Sequence, residues 1–131
     1  MKKTLLILIF ALLVNVSFSQ EIKSIYKFEK EQKTKKFTHT EFDSLVLFSN
    51  GSFYRKYFKQ FHEIEYSELK GNWKIENQVL CLSITGEKAS STEKKWTEFT
   101  GKFKYTIKRK KLIPINDSME IYATHNLKLF E

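Results

Sequence analysis

His39, His62 and His125 are the only histidines of the 131-residue chain, and Cys81 is its only cysteine. These groups, with the carboxylates, are where proton transfer, metal ligation or nucleophilic attack would have to start. The histidines lie far apart, without the short spacing that places two ligands on one metal ion. In "FHEIEY", Glu63 and Glu65 share one face of a strand and His62 takes the other. No metal site is expected. Cys81, in "VLCLSI", points away from Leu80, Leu82 and Ile84. Two readings of its thiol stay open: a bridge to a second chain in an oxidising compartment, or a small buried hydrophobe. A lone cysteine excludes an internal disulfide. No Cys-His pairing, Gly-x-Ser-x-Gly, Walker loop or His-Glu-x-x-His occurs. The carboxylates alternate with lysines as solvated charge, and no pair stands out as an acid/base couple. The expectation is therefore a non-enzymatic protein without a cofactor.

The aromatics are the other chemical asset. Once Phe10 and Phe18 are set aside with the leader described below, ten Phe, six Tyr and two Trp remain. Many stand beside cations, as in "FYRKYFKQF", "KKWTEF" and "KFKYTIKRKK". Rings can stack on a ligand while cations hold its anionic groups. Tyr54, Tyr57, Trp73, Trp96 and Tyr105 are the candidate ligand-binding residues. Arg55, Lys56, Lys108, Arg109, Lys110 and Lys111 are the candidate basic surface. The alternative is that the rings fill a small interior while the lysines occupy wet faces and guard strand edges. Strict alternation of the two types favours that alternative.

What would position these residues is a sheet, because a period of two dominates. In "NWKIENQVLCLSI", Trp73 and Ile75 alternate with polar neighbours, a turn follows at Glu76 to Gln78, and Leu80, Leu82 and Ile84 resume. "KFKYTIKRKKLIPI" does the same with Phe103, Tyr105, Ile107 and then Leu112. Such alternation marks strands with one dry and one wet face. Aromatic-x-Ile-x4-Leu recurs thirty-two residues apart, at Trp73 and Tyr105, and predicts two hairpins of one design. In "LVLFSNGSFYRKYF", Asn50-Gly51 predicts a type I′ turn, whose central residues both need positive φ. Leu45 and Leu47 then share one face, as do Phe53 and Tyr57 with Arg55 between them. The stretch 59–69 is ambiguous between strand and a helical turn, since Tyr54, Tyr57, Phe58, Phe61 and Ile64 fall at helical spacing. The polar segments 29–41 and 86–98 read as loops. "IKSIYKF" and "MEIYATHNLKLF" read as terminal strands able to pair and close the sheet. Two Asn-x-Ser sequons, at Asn50 and Asn116, are read as turn chemistry. The total is about eight strands, a number that closes a barrel with room for side chains or one small ligand.

The first nineteen residues are set apart. Lys2 and Lys3 precede an apolar run from Leu5 to Val14, and "SFS" supplies the small residues a signal peptidase reads. Cleavage after Ser19 leaves one domain, 20–131. The apolar run is too short to span a bilayer, so no transmembrane anchor is expected after cleavage. The net charge of +8 falls to about +6 without Lys2 and Lys3. Such a balance suits anionic partners. Export makes nucleic acid an improbable one, and leaves an anionic envelope surface or a protein.

"LVLFSNGSFY", "GNWKIENQVLCLSI" and "YTIKRKKLIPI" together resemble the small secreted lipocalin-like β-barrel domains of bacteria. Those domains show a hydrophobic strand, a Gly-containing turn and an aromatic strand, then Gly-x-Trp-x-Ile-x-Asn-x-x-Leu-x-Leu. The resemblance spans residues 44–115. Gly71-Asn72-Trp73 matches the Gly-x-Trp of true lipocalins in letters but lies mid-chain, so it is not read as that signature. The resemblance implies a fold: a mostly β, antiparallel meander forming a lipocalin-like barrel or a strongly curled sheet. The function expected is binding of a small, partly apolar ligand in the barrel mouth by a secreted or periplasmic protein. The alternative is a protein- or envelope-surface interaction module, inhibitor-like, using a basic face.

Overall fold

The computed structural model describes residues 21–36, 38–115 and 125–130. The expected signal segment, the second sequon and all of "MEIYAT" lie outside the described residues. Eight antiparallel strands run in sequence order around a closed barrel. They are β1 (Ile22–Lys33), β2 (Thr38–Phe48), β3 (Ser52–Gln60), β4 (Ile64–Glu76), β5 (Val79–Lys88), β6 (Thr97–Lys108), β7 (Lys111–Pro114) and β8 (Leu127–Leu129). The terminal strands close it, with Tyr26 opposite Leu129 and Lys27 opposite Lys128. Closure removes the free edges that would invite aggregation. Among the described residues no helix is long and apolar enough to cross a membrane.

The alternating pattern sets the inside. Leu45 and Leu47 of β2, Phe53 of β3, Leu69 of β4, Leu80, Leu82 and Ile84 of β5, and Phe103 and Tyr105 of β6 are all buried. Leu112 and Leu127 from the short strands complete one packed cluster. The predicted hairpin repeat holds: Ile75 lies opposite Leu80 and Ile107 opposite Leu112. Cys81, half-buried, sits on the outer face between Lys74 and Lys104.

One end of the barrel carries the tight β2–β3, β4–β5 and β6–β7 turns and is called the hairpin end. The other carries the β1–β2, β3–β4, β5–β6 and β7–β8 connections and is called the loop end. At the hairpin end the turn chemistry differs from expectation. Of Asn50 and Gly51 only Gly51 has positive φ, at 90°. Its N–H donates to the Phe48 carbonyl at 3.1 Å, which makes Ser49 and Asn50 the central residues. Asn50 is used otherwise: its Oδ1 accepts from the N–H and the hydroxyl of Ser52, an Asx turn. The two successive positive φ values of a type I′ turn occur at Asn77 (51°) and Gln78 (63°).

Two further expectations are decided at the loop end. Residues 29–41 are largely strand, since β1 extends to Lys33 and β2 starts at Thr38, whereas 86–98 keeps its expected loop at 89–96, between β5 ending at Lys88 and β6 starting at Thr97. Both faces of 29–41 are wet or polar, which erases the alternation a sequence reading depends on. The open stretch 59–69 resolves as strand, a bend at 61–63, then strand again. Its helical spacing is an accident of rings that belong to both walls and to the bend.

Candidate functional site

Moving from the hairpin end toward the loop end, the interior changes from apolar to polar. β3 causes the change by presenting Phe53, Arg55 and Tyr57 inward in succession. Arg55 lies opposite Leu45 on β2 and Leu69 on β4, and only 1 % of it is exposed. This corrects its placement on the basic surface. Between two inward rings, a period of two carries Arg55 inside whatever its charge.

A guanidinium so buried needs a partner. Arg55 Nε donates to Asp43 Oδ1 at 2.9 Å and Nη2 to Oδ2 at 2.5 Å, a two-pronged pair with a wholly buried carboxylate. Nη1 donates to the Tyr105 hydroxyl at 2.7 Å. His125, at the start of the β8 segment, donates from Nε2 to Asp43 Oδ2 at 2.8 Å. Its ring stacks on Phe28 with centroids 4.1 Å apart, and Tyr57 lies 6.2 Å away on a near-parallel plane. Burial alone raises the Asp43 pKa, but Arg55 and His125 outweigh it and hold the carboxyl below the usual range. Burial likewise disfavours the Arg55 charge, yet Tyr105 and Asp43 reverse that and keep the guanidinium charged. Burial raises the Tyr105 hydroxyl, with Arg55 opposing.

Beyond this layer the inward row across four strands is Phe28, Asp43, Tyr57 and Ser67, and the next is Lys30, Glu41, Lys59 and Glu65. The second row alternates in sign. Tyr57 donates to Glu41 at 3.0 Å, and burial followed by that carboxylate pushes its hydroxyl well up. Among the described residues, three buried polar atoms have no hydrogen-bond partner: Ser67 Oγ, Glu87 Oε2 and His39 Nε2. Ser67 is 5 % exposed. Glu87 lies opposite Leu69, so it shares the inner face one diagonal step from Ser67. His39 follows Asp43 and Glu41 on the inner face of β2. The loop end is therefore a polar interior whose hydrogen-bonding capacity is incompletely used.

The candidate aromatics do not converge on one site. Tyr57 and Tyr105 are inside. Trp73 braces the hairpin end, where its Nε1 donates to the Phe48 carbonyl at 2.8 Å and Lys23 lies over its ring. Tyr54 and Trp96 meet on the outer wall, ring edge to face at 6.4 Å. Lys70 and Lys88 lie 4.8 and 4.7 Å from the Trp96 ring centre. Tyr54 bonds to Glu68, whose carboxyl is held low because the Tyr54 and Tyr66 bonds outweigh burial. A groove of about 440 Å³ runs beside Tyr54, Lys70, Thr85 and Trp96. Lys56 faces outward on β3, and Lys108 to Lys111 form the exposed β6–β7 tip.

Asp43, Ser67 and Glu87 went unnoticed in the sequence. The signal for Asp43 was there: it stands two residues before Leu45 on the same face as Leu47, the mirror of Arg55 among rings. Ser67 and Glu87 carried none, since the β4 and β5 stretches around them read as wet. Among the described residues no three His, Cys, Asp or Glu side chains gather as a metal site would require. Comparison of the chain with protein-family models, curated proteins and solved structures returned no match.

Proposed function

We propose that this chain is an exported, lipocalin-like, non-enzymatic protein that binds a small, partly apolar ligand inside the loop end of its barrel. The observation that carries the reading is Ser67. A buried hydroxyl without a partner forfeits about 1–3 kcal/mol of hydrogen bonding, a loss a bound ligand would recover. Glu87 Oε2, one diagonal step away, can accept a hydrogen bond, so the ligand class is a compact apolar body bearing an O–H or N–H group. Tyr57 and Phe28 supply rings for the apolar part, and the Arg55–Asp43 layer forms a charged floor. Export rests on residues 1–19, and the lipocalin-like assignment on the meander and on the motif run 44–115.

Binding without turnover is favoured over hydrolysis for a specific reason. His125 and Asp43 make an imidazole–carboxylate pair, the orienting half of a nucleophile-activating relay. The same carboxylate is committed to Arg55, however, and the Ser67 hydroxyl is bonded to nothing, His125 included.

The test pairs stability with affinity. Small hydrophobic alcohols and amines are screened against the protein by ligand-observed NMR. Ser67→Ala is expected to raise the stability of the unliganded protein by about 1 kcal/mol, because it deletes an unsatisfied buried group. The same change is expected to weaken the best binder about ten-fold, whereas Trp96→Ser leaves it unchanged. Binders that ignore Ser67→Ala and Glu87→Gln but are lost with Trp96→Ser would move the site to the outer wall and overturn the proposal.

A further inference from the structure

Four lysines stand directly opposite one another across four consecutive strands on the outer wall. Lys108 on β6 faces Lys111 on β7, Lys111 faces Lys128 on β8, and Lys128 faces Lys27 on β1. Neighbouring strands lie about 4.8 Å apart, so the row spans about 15 Å. Like charges directly opposed on one face are destabilising. Among the described residues no carboxylate forms an ion pair with any of the four. Glu29 lies along a shallow groove with Lys27, Lys128 and Phe130.

Three other observations meet at the same end. The β6–β7 turn places Arg109 at φ 58°, a first central position where hairpins favour glycine, so a cation occupies a strained site. That tip is held in place, because Leu129 N–H donates to the Lys110 carbonyl at 2.7 Å. A recess of about 610 Å³ is formed by Lys108, Arg109, Lys110, Lys111, Ile113 and Asn126. Finally, Ile22, Ile75 and Phe130, 47–56 % exposed, all lie at the hairpin end, with the half-buried Trp73 beside them. Among the described residues the carboxylates of this end are few: Glu76 is paired with Lys74 at 3.4 Å, and Glu21 immediately precedes β1.

Clustered cations flanking exposed apolar and Trp side chains are what an anionic bilayer surface selects, since the rings enter the headgroup layer while the lysines meet phosphate. We infer that the hairpin end docks on an anionic phospholipid surface through the row Lys27–Lys128–Lys111–Lys108, the Arg109 tip and Phe130. The lipid headgroup phosphate fills the recess at the tip and relieves the repulsion along the row. A protein seated this way points its loop end away from the bilayer, so the surface and the proposed ligand site are independent.

The test is co-sedimentation of the full chain with vesicles of phosphatidylglycerol and phosphatidylcholine in equal parts, against phosphatidylcholine alone. Residues 1–20 are common to every variant, so the readout is the change each substitution makes. Each lysine near an anionic surface is worth about five-fold in affinity, so Lys108→Ser, Lys111→Ser and Lys128→Ser combined are expected to weaken binding to the anionic vesicles about a hundred-fold. Raising salt from about 0.1 M to about 1 M, which shortens the screening length from about 10 to about 3 Å, is expected to release the protein. Phe130→Ser, at an exposed position, is expected to weaken binding without altering its salt dependence. Lys94→Ser with Lys95→Ser, in the β5–β6 connection at the loop end, leaves binding unchanged. Equal losses for the Lys94/Lys95 and row variants would reduce the effect to net charge and overturn the inference. So would retention on a sulfated polysaccharide with no preference for anionic over neutral vesicles.

Discussion

At the residue scale the decisive pair is Arg55 with Asp43, since each makes the other's burial tolerable. Removing one member of a buried ion pair strands the other, so Asp43→Asn is expected to destabilise by about 3–5 kcal/mol in denaturant unfolding. Asp43→Val with Arg55→Met recovers most of that loss, because a buried pair rarely outperforms apolar side chains of similar size. The sign of the pH dependence follows from the lowered Asp43 value. A carboxyl held more acidic in the folded chain stabilises fully above its ordinary value of about 3.9, and the stabilisation drains as pH falls from there through the native value. Unfolding midpoints measured between neutral and acidic pH are expected to fall below about pH 4 in the natural chain and less steeply in Asp43→Asn.

At the element scale Gly71 governs how β3, β4 and β5 approach. A Cβ there would stand 1.9 Å from the Ser83 carbonyl oxygen and 2.8 Å from Phe53 Cε1. Backbone and a packed ring cannot both give way, so Gly71→Ala is expected to destabilise by at least about 2 kcal/mol in thermal or denaturant unfolding. Gly51, by contrast, has open space around it and is needed for its positive φ alone. The same comparison shows how far local sequence reaches. "GNWKIENQVLCLSI" disclosed its hairpin because one face is dry and one wet. The Asn50-Gly51 signal located a turn but not its geometry, since Asn50 found a better use for its side chain with Ser52. At 29–41 the strands project into polar surroundings on both faces, and no pattern remained to be seen, whereas 89–96 is the loop its polar sequence announced.

At the scale of the whole molecule, the barrel is a gradient. An apolar cluster occupies the hairpin half, an Arg–Asp–Tyr–His layer crosses the middle, and acids, lysines and an unpartnered serine line the loop half. Eight strands and closure by the termini were legible from alternation and count. The division of the interior was not, because it depends on which residues of separate strands share a level, and register is set by pairing that no local pattern reveals. Arg55 is the plainest case: its neighbours mark it as a surface cation, and its parity marks it as core. The most direct measurement is a two-dimensional amide NMR map of the protein titrated with the best small hydrophobic alcohol or amine. The account predicts shifts confined to inward positions of the loop half, at Tyr57, Ser67 and Glu87. Shifts confined to Tyr54, Thr85 and Trp96 on the outer wall, with the interior silent, would contradict it.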